Sequence, residues 1–85
     1  MAEHELSANE VEERIKAAFA PYDTKVDISD SGMRLDFFVY DDEGQQILES
    51  HTTKADNVYQ RPSTLEAILR HNRSVLELKG YKFTN

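Results

Sequence analysis

Apolar positions along this chain follow two periods, and the switches between them mark its elements. From residue 6 to 21, Val11, Ile15, Ala18 and Phe19 recur at helical spacing. Three signals fix the start: Ser7 is a good N-cap, Glu10 three residues on completes a capping box, and Leu6 with Val11 has the spacing of a hydrophobic staple. Glu10 with Arg14 and Glu12 with Lys16 form i,i+4 pairs, and Pro21 is expected to stop the helix near Ala20. Caps, staple, stripe and stop account for the whole stretch, and nothing in it is left over for function.

The period then changes to two. "TKVDIS" alternates, "DSG" is a turn, "MRLDFFVY" alternates again, "DDEG" is a second turn, and "QQILESHT" is a third strand candidate. Closing the first hairpin at Asp30 and Ser31 pairs Ile28 with Met33 and Val26 with Leu35, and sets Asp27 against Arg34 and Lys25 against Asp36 on the other face. Treating "DDEG" as a four-residue loop, with a bulged three-residue loop as the alternative, pairs Tyr40 with Gln45, Phe38 with Ile47, Phe37 with Leu48 and Asp36 with Glu49, and so puts His51 beside Arg34. In this register Val26, Ile28, Met33, Leu35, Phe37, Val39 and Leu48 face the core, while Phe38, Tyr40 and Ile47 share the opposite face.

Residues 52–62, "TTKADNVYQRP", show no period and read as a connector longer than the usual one. A second capping box, Ser63 with Glu66, is expected to open a helix whose stripe is Leu65, Ile68, Leu69, Asn72, Val75 and Leu76 and which ends near Gly80. The expected fold class is therefore α+β, in the order α-β-β-β-α: a three-stranded antiparallel meander with both helices on one face. One domain spans residues 1–85, with 1–6 and 83–85 expected to be flexible; a chain of 85 residues supports a single core.

Charge adds an asymmetry. The net charge of -6 disfavours nonspecific contact with nucleic acid or anionic membrane, yet residues 1–50 carry 13 acidic against 4 basic side chains (-9) and residues 51–85 carry 3 against 6 (+3). The absence of cysteine excludes a disulfide framework and a thiolate nucleophile and points to a reducing compartment. With no basic start followed by an apolar stretch, and no apolar run of membrane-spanning length, the expected location is the cytoplasm.

Candidate chemistry is sparse. His4, His51 and His71 lack the i,i+3 or i,i+4 spacing that sets metal ligands on one helical face. The acidic turn "YDDEG" lacks the twelve-residue calcium-loop pattern, and turn geometry alone favours Asp and Gly there. With glycines only at 32, 44 and 80, no phosphate-cradling loop can be written. No catalytic residue, cofactor, metal or small-molecule ligand is expected, and the chain does not read as an enzyme.

Two surfaces remain. Arg70, Arg73 and Lys79, extended by Lys54, Arg61 and Lys82, form a basic footprint toward the C-terminus, although Glu66 and Glu77 stand four residues from Arg70 and Arg73. Phe38, Tyr40 and Ile47 stand on a sheet face that two helices on the other side leave uncovered, where contiguous apolar surface marks an interface. Tyr59 and Arg61 of the connector are candidates to join it. Strand edges offer another route to self-association, because "QQILESHT" carries little Lys or Pro to blunt its edge.

The element order is similar to that of the double-stranded-RNA-binding domain, but that domain's Gly-Pro-x-His turn reads "SDSG" here and its Lys-Lys-x-Ala-Lys helix start reads "RPSTLEA". Leu6, Ser7, Glu10, Val11, Ile15, Phe19 and Pro21, followed by the strand pair and a Leu-rich terminal helix, resemble a family of short uncharacterised proteins from pseudomonads. That resemblance covers most of the chain and implies a bacterial cytoplasmic setting, with no site residue to carry over. The leading expectation is a protein-protein interaction or regulatory module, self-associating as a homodimer, using Phe38, Tyr40, Ile47, Tyr59 and Arg61. The alternatives are nucleic-acid binding through Arg70, Arg73 and Lys79, and mimicry of nucleic acid by the acidic front half.

Overall fold

Helix α1 (Ala8–Ala18) opens the chain and is followed by strands β1 (Asp23–Ser29), β2 (Arg34–Tyr40) and β3 (Gln46–Thr53) and helix α2 (Pro62–Leu78) in a computed structural model that describes residues 4–84. Residues 1–3 and 85, part of the ends expected to be flexible, lie outside the described residues. The strands form one antiparallel sheet in the order β1-β2-β3, giving the expected α-β-β-β-α architecture.

Local signals set α1. The Ser7 hydroxyl accepts from the Glu10 backbone N–H at 3.2 Å and the Glu10 carboxylate accepts from the Ser7 N–H at 3.0 Å, so the capping box is complete. Hydrogen bonding of the Glu10 carboxylate to the Ser7 backbone N–H, and to the Ser7 side chain, holds that carboxyl below its ordinary value. The helix ends at Ala18, two residues earlier than expected, because the chain turns there to bury Phe19, with the Tyr22 N–H donating to the Phe19 carbonyl. At α2 the N-cap is Arg61 and not Ser63, and no side chain caps it. Pro62 explains the offset: its fixed φ and missing N–H suit the first helical position, so Ser63 falls inside the first turn.

Both hairpins depart from the expected register, for different reasons. The first closes on four loop residues, Asp30 to Met33, with positive φ at Asp30, Ser31 and Gly32, and pairs Ile28 with Leu35, Val26 with Phe37 and Asp27 with Asp36. The shift is even, so each strand residue keeps its face, but the expected Asp27–Arg34 and Lys25–Asp36 pairs are not made and Met33 lies in the turn, 48% exposed. The wider loop is anchored from far along the chain, where the Tyr59 hydroxyl and the Gln60 amide both donate to the Gly32 carbonyl. The second hairpin contains a β-bulge: Val39 pairs with Leu48 but Tyr40 with Gln46, leaving Ile47 as the extra residue. Ile47 therefore turns against the core and does not share the Phe38 face.

The core lies between the sheet and the two helices. Leu35, Phe37 and Val39 of the central strand are fully buried, against Val11, Ile15 and Phe19 from the first helical segment and Leu65, Leu69 and Leu76 from α2. Phe19 meets Phe37 at 5.7 Å between ring centres and Phe83 at 5.9 Å. Leu6 and Phe83, in segments expected to be flexible, both take part: Leu6 is buried and its N–H donates to the Gln60 carbonyl, while Thr84 donates to the Ala20 carbonyl.

Candidate interaction surface

Alternation in β2 sends Leu35, Phe37 and Val39 into the core and Arg34, Asp36, Phe38 and Tyr40 to the opposite face. Both helices pack on the core side, and the C-terminal tail does too: Tyr81 and Phe83 stack edge-on against Tyr22, and Phe83 against Phe19. Phe38 and Tyr40 stay half-buried outside the core cluster, on a face that no described element covers. Phe38 lies between Lys25 of β1 and Glu49 of β3, and Tyr40 between Asp23 and Gln46.

Beside the aromatics sits a charged network. The observed register places Asp36 opposite His51 on one side and Asp27 on the other. Two carboxylates directly opposed repel. Asp36, only 7% exposed, is compensated by Arg34 Nε at 3.1 Å and His51 Nδ1 at 2.5 Å, while His51 Nε2 reaches Glu49 at 3.1 Å. The bond from His51 holds the Asp36 carboxyl below its usual range against the opposing effect of burial. The same bond, with Glu49, raises the imidazole above its ordinary value, so the two carboxylates favour the protonated ring. The expected His51–Arg34 juxtaposition is replaced by this ion-paired one. Its signal in the sequence was the same-face spacing of Arg34 with Asp36 and of Glu49 with His51, which points to the network only once the register is known.

Of the five residues expected to form the interface, the sheet face brings together two, Phe38 and Tyr40. Ile47 is turned inward by the bulge. Tyr59 is 1% exposed, its ring in the core and its hydroxyl on Gly32, and burial raises its pKa. Arg61 is exposed at the start of α2, on the helical side of the sheet. In the basic footprint, Arg70 and Arg73 share one concavity with Glu66 and Glu77. Arg70 pairs with Glu66 at 3.4 Å, Arg73 lies over the Phe83 ring at 5.0 Å, and Lys79 is exposed at the C-terminal end of α2.

A further concavity of about 590 Å³ opens between β3 and α2, lined by Ser50, Thr52, Thr64, Ala67, Ile68 and His71 among others. Among the described residues, no helix is long and apolar enough to cross a membrane, and no three His, Asp or Glu side chains are grouped to hold a metal ion. Comparison with protein-family models, with curated proteins and with solved structures finds no match for this chain.

Proposed function

We propose that this chain is a protein-interaction module whose docking surface is the uncovered face of its sheet. The observation that carries this reading is the position of Phe38 and Tyr40: two large rings on the face away from both helices, while the connector and tail aromatics pack on the other side. The partner is a protein surface bearing arginine or lysine. Asp23, Asp27, Asp36 and Glu49 outnumber Lys25 and Arg34 on this face, the chain as a whole carries -6, and exposed aromatic faces attract guanidinium groups.

The test is a titration of isotopically labelled protein with an octa-arginine peptide, followed by amide chemical shifts, with octa-glutamate as the control. Shifts should concentrate at Phe38, Tyr40 and Glu49. The double substitution Phe38→Ser with Tyr40→Ser leaves the charge unchanged and should weaken binding by about tenfold, the loss of two ring contacts of about 0.5–1 kcal/mol each. Unchanged affinity in that variant, or shifts confined to another surface, overturns the reading.

A further inference from the structure

The groove between β3 and α2 is unlike the rest of the surface in its charge. In a chain that is 31% charged, its lining contains no Asp, Glu, Lys or Arg. The cause lies in α2, which has three faces. Leu65, Leu69 and Leu76 enter the core; Glu66, Arg70 and Glu77 take the solvent; and Thr64, Ala67, Ile68 and His71 form a third stripe at i, i+3, i+4 and i+7 directed at the groove. Depletion of charge is the compositional mark of an interface centre. Across the groove, β3 is an edge strand, and alternate residues of its eight present backbone N–H and C=O groups with no strand to receive them. The opposite edge, β1, has Lys25 in its middle and α1 against it.

We propose that the β3 edge pairs with the same edge of a second copy of this chain, antiparallel about a two-fold axis through Ser50, joining two sheets into one of six strands with the α2 helices meeting over the two grooves. Charge complementarity selects the occupant and the register. Keeping both pairs of helices on one side of the joined sheet restricts the pairing to registers that oppose odd-numbered residues of β3 to odd-numbered ones. With Ser50 on the axis, Glu49 faces His51 of the partner subunit, and symmetry makes that contact twice. Sliding two residues one way sets Glu49 against Glu49 of the partner subunit; sliding the other way sets His51 against His51 of the partner subunit. Like charges directly opposite are destabilising, so one register is favoured over both neighbours. The groove stripe of α2 then covers its counterpart across the axis, a self-complementary contact of the kind two-fold symmetry requires.

This interface borders the Phe38 and Tyr40 face, meeting it at Glu49 and His51, and would present that face twice on one continuous surface. The absence of native cysteine makes the test direct. Ser50→Cys places one thiol from each copy at the axis, where opposed residues of an antiparallel pair stand close to disulfide distance. Under mild oxidation the variant should shift on a non-reducing gel from the 9.8 kDa chain to twice that mass, while Ser74→Cys, on the exposed charged side of α2, stays monomeric. Sedimentation of the unsubstituted protein should give the doubled mass, and Phe38→Ser with Tyr40→Ser should leave it unchanged. A monomer at every concentration, or a Ser50→Cys variant that cross-links no faster than Ser74→Cys, overturns the proposal. So does a dimer dissociated by the Phe38 and Tyr40 substitutions, an outcome that would move self-association to the sheet face.

Discussion

Replacing Tyr59 separates two contributions that meet at one ring. The side chain is 1% exposed, its hydroxyl donates to the Gly32 carbonyl, and that carbonyl also accepts from Gln60 Nε2 at 3.1 Å. Tyr59→Phe removes the hydroxyl but leaves the acceptor one donor, so the cost is that of a single hydrogen bond, about 0.5–1.5 kcal/mol. Tyr59→Ala empties the ring's place in the core, and by analogy with other aromatic truncations costs about 3–5 kcal/mol. A domain of 85 residues has a total stability of about 4–13 kcal/mol, so the alanine variant loses a large share of it. With about 4–8 °C of midpoint per kcal/mol at this size, the phenylalanine variant should melt a few degrees lower and the alanine variant should melt far lower or be unfolded. Thermal and urea unfolding followed by circular dichroism measure both. An alanine variant no less stable than the phenylalanine one would show that the ring is outside the core, and would return Tyr59 to the candidate interface.

Two further outcomes follow from local chemistry. Ser7→Ala should lower stability by about 1 kcal/mol in urea unfolding, because the Glu10 N–H loses its acceptor; a cost near zero would mean that the capping box contributes nothing in this context. His51 has a raised value in the folded chain, so its contribution is fully present below its ordinary 6.5 and is lost as pH rises through the folded value; Asp36 has a lowered one, so its contribution is present above its ordinary 3.8 and is lost as pH falls through the folded value. The urea midpoint of the native chain should therefore exceed that of His51→Gln by most between roughly pH 4 and 6.5, and the gap should narrow in alkali. A gap that widens with rising pH contradicts the Asp36–His51–Glu49 arrangement.

What was legible in the sequence divides by the distance over which its cause acts. The Ser7 and Glu10 box, the Val11 and Ile15 stripe and the strand alternation depend on neighbours within a few residues, and each appears in the fold. The width of the Asp30 to Met33 loop depends on Tyr59 and Gln60, more than two dozen residues away, and the aperiodic segment that carries them gave no sign that one of its rings is in the core. Ser63 failed as a cap because the competing signal of Pro62 fixes the helix start two residues earlier. Phe38 and Tyr40 keep the face expected for them because an even register shift preserves it. Ile47 does not, because a bulge is an odd insertion.

That odd insertion also insulates the sheet. The bulge at Ile47 lies between the turn at Asp41 to Gln45 and the paired row that holds Asp36 opposite His51. A chain one residue shorter at position 47 would pair regularly, with Val39 still facing Leu48 and Tyr40 still facing Gln46. The bulge thus behaves as an expansion joint: the extra residue is taken up at Ile47, and the charged row beyond it stays in register.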